Sequence, residues 1–158
     1  MSGRFCLFLA ALMTVACATV DVAAPASAAD LAISLHREVS GGHPVAVVTI
    51  TNRSDKPVCL RAEILQNPDS YEMDLRLRDR GRRPVRFHEP GYVLPPIRGN
   101  VRLEPGQTAR GQYFLDSRFR LRRAGNPFPP GMSAQAAFQY DYCDDTSSLR
   151  ATSAWQSI

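Results

Sequence analysis

A chain of 158 residues, 44% of them apolar, with a formal charge of +4, is of single-domain length and needs only one hydrophobic core. The charge is uneven: residues 76–123 hold thirteen arginines against Asp79, Glu89, Glu104 and Asp116, and both flanks are acidic. The arginines are not interleaved with stacking aromatics, which argues against a nucleic-acid partner. Lys56 is the only lysine, so a GC-rich bacterial genome accounts for the arginines as readily as a binding surface does.

Arg4 opens the chain, an uncharged apolar run follows from Phe5 to Val20, and Ala26-Ser27-Ala28 supplies the small-residue pattern read by signal peptidase. The run is shorter than the roughly 20 residues a spanning helix needs. Residues 1–28 therefore read as a cleavable export signal, and residues 29–158 as one periplasmic or secreted domain with no stable membrane insertion after cleavage. Cys17 offers a minor lipidation alternative, although the aliphatic residue three places before it is missing. Cleavage leaves Cys59 and Cys143, for which a structural disulfide is the expectation in an oxidising compartment. Their wide spacing is unlike the C-x-x-C arrangement of redox thiols.

The periodicity of the remaining chain is two. Leu31, Ile33 and Leu35 alternate with polar or small neighbours, and Val45 to Thr51 is a β-branched run expected of a central strand. Asn52 to Pro57 reads as a turn into a strand with Val58, Leu60, Ala62 and Ile64 on one face, the two strands forming a hairpin. Met73, Leu75 and Leu77 alternate with Asp74, Arg76 and Arg78, and Arg80 to Arg83 forms a charged turn before Pro84 to Phe87. Residues 88–99, with three prolines and two glycines, predict a long loop or edge segment.

Val101 and Leu103 lead to a Pro105-Gly106 turn and a strand from Thr108 to Leu115. Residues 116–131 are proline-rich and irregular. Ala134, Ala136, Phe138, Tyr140 and Tyr142 form one face of the clearest alternating strand, and Ala151 to Ile158 is expected to return as the last strand, carrying Trp155. Seven or eight short strands at this spacing predict an all-β, immunoglobulin-like antiparallel β-sandwich.

The stretches VVTITNRSDKPVCL, LRLRDRGRRPVRF and VRLEPGQTARGQYFLDSRFRL resemble the immunoglobulin-like domain that precedes the catalytic domain of deuterolysin-type and lysine-specific metallopeptidases. The matching positions are Leu103, Pro105, Gly106, Gln107, Phe114, Leu115 and Asp116, within about 100 residues of likeness. No peptidase domain follows here. The resemblance implies a non-catalytic role as a pro-segment or accessory module with an exported peptidase as partner.

No catalytic constellation stands out. His36, His43 and His88 form no H-E-x-x-H pattern, and neither a Gly-x-Ser-x-Gly elbow nor a phosphate-binding glycine loop is present. Asn52-Arg53-Ser54 is a formal glycosylation sequon but reads better as a turn. Asp141, Asp144 and Asp145 read as an acidic turn in preference to a calcium site. Arg118, Arg120, Arg122 and Arg123 beside Phe119 and Leu121 read first as a solvated strand edge and second as a patch for an anionic partner.

The expectation is a non-enzymatic binding or accessory module without cofactor, including protease inhibition as a specific form. Its partner surface would lie on the proline-rich loops, at His88, Tyr92, Arg98, Arg118, Arg120 and Phe128. The alternative is a periplasmic copper- or zinc-binding protein using His36, His43 and His88.

Overall fold

The computed structural model describes residues 30–66, 72–87, 97–119, 129–145 and 148–158, without the side chain of Ser117. The export signal at 1–28, residues 67–71 and most of the two proline-rich loops lie outside them. The described residues form a β-sandwich of two antiparallel sheets. Its elements are β1 (Leu31–Ser40), β2 (His43–Asn52), β3 (Val58–Arg61), α1 (Ala62–Gln66), β4 (Asp74–Arg78), β5 (Asn100–Leu103), β6 (Thr108–Phe114), α2 (Leu115–Arg118), β7 (Ser133–Tyr142), β8 (Ser148–Thr152) and β9 (Gln156–Ser157).

One sheet has the order β1-β2-β6. In the other, β7 is the spine. β4 and β3 follow each other along one of its edges, β8 and β9 along the opposite edge, and β5 lies outside β3. Leu35, Val48, Ile50 and Tyr113 of the first sheet pack against Leu60, Leu75, Leu77, Ala136, Phe138 and Tyr140 of the second. Each fully buried aliphatic side chain contributes about 1.5–3 kcal/mol of transfer free energy.

β1 and β2 form a hairpin through Gly41 and Gly42, whose φ values of 57° and 82° match the two positive-φ positions of a two-residue hairpin loop. The expected hairpin between the Val45 and Val58 strands is not formed. Both edges of β2 are occupied, by β1 and β6, so residues 53–57 cross to the other sheet, where β3 pairs with β5 and β7.

Asn52 makes this crossing rigid. Its fully buried side chain donates from Nδ2 to Lys56 O (2.8 Å) and Leu103 O (2.9 Å), while Oδ1 accepts from Ser54 N (3.0 Å) and Ser54 Oγ (2.7 Å). Its backbone is tied to the Pro-Gly turn, donating to Gln107 O (2.9 Å) and accepting from Gly106 N (2.8 Å). The sequon asparagine is thus an internal bracket holding two crossings between the sheets, with its amide turned away from solvent.

The strand expected from Val58 to Ile64 stops at Arg61. Ala62 donates its N–H to Gly99 O (2.9 Å), and the chain then turns into α1. Ala62 and Ile64 are buried, as the alternation required, but from a helical turn between the sheet edges. α1 approaches β6 at Gly111, where a Cβ would lie 3.1 Å from Ile64 O, and Tyr113 Oη donates to the same carbonyl. Likewise, the last expected strand is two strands, β8 and β9, interrupted at Ser153. Ser153 N–H bonds Ala136 O (2.8 Å), and its Oγ accepts from Ala136 N (3.0 Å).

The start of β1 is anchored by Asp30, whose Oδ2 accepts from Tyr142 Oη (2.7 Å). This hydrogen bond is the main cause that pushes Tyr142 up to about 12; for Tyr140, also pushed up to about 12, burial leads and the Asp30 charge adds to it. Because these values exceed the unfolded value of about 10, folding favours the protonated phenols. Their contribution to stability is complete below about pH 10 and is lost as pH rises toward 12. A tyrosinate absorbance titration checks this: Asp30→Asn is expected to bring Tyr142 back toward about 10, with a smaller drop for Tyr140.

Candidate functional site

A surface cleft of about 460 Å³ runs along the outer edge of β4. Its walls come from Leu75 and Leu77 of β4, Pro84, Val85 and Phe87 beyond the charged turn, and Arg118 and Phe119 at the end of α2, with Arg76, Arg78 and Trp155 on the solvent side. Local sequence explains its shape. Asp79 N–H bonds Arg83 O (3.0 Å) and Val85 N–H bonds Leu77 O (2.9 Å), so residues 84–85 start a second strand beside β4. Pro84 has no N–H to extend a ladder, and by Phe87 the segment bridges Phe119 instead of β4. The gap left by this divergence is the cleft.

The tip of that hairpin has an unusual residue order. Arg82 occupies the left-handed region (φ 61°), while the glycine stands one position earlier, at Gly81. A three-residue hairpin loop of this kind normally takes glycine at the left-handed position. Arg82→Gly is therefore expected to raise stability by about 0.5–1 kcal/mol in a urea melt, with the loss of strain exceeding the extra backbone entropy of the unfolded chain.

Arginine dominates the electrostatics. Asp74 is bracketed by Arg76, with contacts of 3.2 and 2.6 Å, and by Arg150 at 3.2 Å. The Arg78 guanidinium lies 3.8 Å from the Trp155 ring centroid. Arg80, Arg82, Arg83 and Arg86 are exposed and carry no ion pair among the described residues. Phe87, 46% exposed, stands at the cleft mouth edge-on to Phe119, with ring centroids 6.0 Å apart.

The expected partner residues are placed unequally. His88, Tyr92, Arg120 and Phe128 lie outside the described residues. Arg98 is exposed beside β5 and is not among the residues that line the cleft.

Arg118 corrects the expectation of a solvated arginine: it is 2% exposed. The single turn of α2 directs it inward, its guanidinium 5.1 Å from the Tyr113 ring centroid and Nη1 donating to Met73 O (3.3 Å). Cation–π attraction and carbonyl hydrogen bonding offset part of its desolvation.

The cysteines are joined as expected, Cys59–Cys143, with Cα atoms 5.0 Å apart. The histidines are held by separate carboxylates: His36 meets Glu38 (2.9 Å), and His43 meets Asp116 (2.7 Å). His43 lies opposite Ser40, four residues along β1 from His36, or about 13 Å at strand rise. His88 lies outside the described residues, among which no group of three metal-ligating side chains occurs. Phe114, Leu115 and Asp116 have structural tasks, since Leu115 is buried and Phe114 and Asp116 both contact His43.

The second cleft, about 370 Å³, lies on the outer face of the three-stranded sheet between Val45, Leu65, Gln66, Arg110, Gln112 and Phe114. Glu38 pairs with Arg110 beside it, and its carboxyl is held below the ordinary value chiefly by the hydrogen bond from His36, with the Arg110 charge adding to it. Among the described residues no helix is long and apolar enough to cross a membrane. No protein-family model matches the chain, and no curated protein matches it.

Val85, Phe87 and Trp155 were missed as site residues in the sequence. Their one legible signal was Pro84, which directly follows the charged turn and limits strand pairing there.

Proposed function

We propose that this chain is an exported, non-enzymatic binding module that engages an exported protein partner at the β4 cleft. The observation that carries this reading is the apolar cleft whose Pro84–Phe87 wall belongs to the same chain segment as Arg80, Arg82, Arg83 and Arg86, four exposed arginines without ion pairs among the described residues. Apolar walls supply binding free energy through burial, and unpaired surface cations steer an acidic partner and select its orientation. The leader sequence and the Cys59–Cys143 bridge support export. The resemblance to peptidase-associated domains makes an exported peptidase the first partner to test, with this chain as accessory domain or inhibitor.

The test uses immobilised protein lacking residues 1–28, presented with periplasmic and culture extracts of the source organism. The double variant Arg83→Glu, Arg86→Glu alters exposed positions and leaves the core untouched. The wild type is expected to retain a protein that the variant releases. Equal capture by both, or capture by neither, contradicts the proposal.

A further inference from the structure

The hairpin that follows β4 concentrates positive charge at one end of the molecule. Residues 80–84 are exposed in succession, and between positions 78 and 87 the arginines at 78, 80, 82, 83 and 86 stand against Asp79 alone. Asp79 is held inside the turn, where its Oδ1 accepts from Arg83 N–H (2.8 Å). The cations surround the tip instead of forming one flat face. Arg78 stacks on Trp155, the Arg80 stem lies along Gly131, where a Cβ would be 3.6 Å from Arg80 Cγ, and Arg86 is not among the residues that line the cleft.

The two ends of β7 differ in charge. Ser133, its first residue, pairs with Arg78 at the base of the hairpin. Tyr142, its last, lies about 30 Å away at strand rise. There Asp30 accepts the Tyr142 hydroxyl (2.7 Å), Asp55 acts on the same phenol, and Asp141, Asp144 and Asp145 stand close in sequence. Arg53, Lys56 and Arg102 offset part of this acidic end. An anionic surface therefore draws the hairpin end toward itself and turns the other end away. Phe87 adds an apolar contact beside the arginines: among the described residues it and Val39 are the large apolar side chains left exposed.

We propose that, beyond engaging a protein partner, this domain docks peripherally on an anionic phospholipid surface, with Arg80, Arg82, Arg83 and Arg86 among the headgroup phosphates and Phe87 at the interface. Cations near a leaflet of anionic lipid each add attraction, and an aromatic ring beside them anchors the contact. Mobile headgroups gather around a tip that is charged on several sides, whereas a folded protein would have to match it with carboxylates fixed in place. The inference rests on the export reading, which brings the domain alongside a membrane leaflet.

The test sediments protein lacking residues 1–28 with vesicles of phosphatidylglycerol and phosphatidylcholine in equal parts, and with vesicles of phosphatidylcholine alone. The mixed vesicles are expected to carry the protein down at low salt, the neutral vesicles are not, and about 0.5 M salt is expected to release it. Arg80→Glu with Arg82→Glu should weaken binding about thirtyfold or more, and Phe87→Ser about threefold or more. Arg53→Glu with Lys56→Glu changes the net charge equally at the opposite end and should leave binding within about threefold. Trp155, the only tryptophan, lies against Arg78, so its emission is expected to pass to dansyl-labelled headgroups on docking.

Four results overturn the inference: no sedimentation with the mixed vesicles at low salt; an equal loss from the Arg53 and Lys56 variant, which would reduce the effect to net charge; release by millimolar inorganic phosphate at constant ionic strength, which would make this a site for the free anion; or equal affinity for soluble poly-glutamate, which would assign the hairpin to an acidic protein. Extract capture that depends on Arg83 and Arg86, combined with any of these four, leaves the binding module standing and removes membrane docking.

Discussion

Replacing Cys59 and Cys143 together with alanine is expected to lower the unfolding free energy by about 4–5 kcal/mol, because the bridge joins positions 84 residues apart. The cross-link removes conformations from the unfolded chain, and the gain grows with the logarithm of the loop it closes. It also acts at a weak seam. β3 meets β7 only at Val58–Tyr142 and Cys59–Asp141, so the bridge from Cys59 to Cys143 continues a very short ladder. Beside it, Cys143 N–H bonds Pro57 O (3.1 Å).

Against a typical domain stability of about 5–15 kcal/mol, this loss brings the fold close to its limit. Thermal unfolding of the double variant should fall by roughly 10–15 °C, and reduced wild type should behave in the same way. Unchanged melting after reduction would show that the bridge is energetically idle.

The second large effect is expected at Asn52. Asn52→Ala should cost about 2–4 kcal/mol, since it leaves Leu103 O, Lys56 O and the Ser54 N–H and hydroxyl without their shared partner in a buried crossing. Asn52→Asp should cost more than alanine at neutral pH. A carboxylate lacks the two amide protons and would face the Lys56 and Leu103 carbonyls in a site withdrawn from water. Urea melts of the three proteins rank these costs. A mild alanine variant, or an aspartate variant more stable than alanine, would assign the crossing's rigidity to the backbone bonds with Gly106 and Gln107 instead.

Local alternation made several strands legible. In β7, Ala134, Ala136, Phe138 and Tyr140 repeat every second residue because the strand lies flat across the sandwich with one face in the core. The run from Val45 to Thr51 identified a central strand, and β2 is indeed the middle strand of its sheet. Alternation could not tell a strand from the turn that follows it. At Ala62 and Ile64 two further apolar residues continued the pattern, while the backbone had already turned into α1, where Ala62 N–H bonds Gly99 O and Ile64 O accepts from Tyr113 of β6. Proximity in sequence likewise favoured pairing β2 with β3, although β6 had the better claim to that edge.

The candidate site was less legible than the fold. The arginine band was visible, but a side chain such as Arg118 carries both a charged tip and a long apolar stem, and composition cannot say which one the fold will use. The part that Leu75 and Leu77 play in the cleft was invisible for a stricter reason: these residues read, correctly, as core. Their side chains are buried while their peptide groups face the cleft, and sequence patterns report only on side chains.

The amino-acid sequence by itself thus determined an all-β sandwich, its principal strands, its Pro-Gly turn and the two cysteines able to bridge it, because all of these follow from local conformational preference and the alternation of buried and exposed residues. Only the tertiary structure decided which strands are neighbours, where Arg118 points, and that β4 borders a cleft with Phe87 and Phe119. Those features depend on competition among distant segments for the same hydrogen-bonding edges and the same volume, and neighbouring residues carry no record of its outcome.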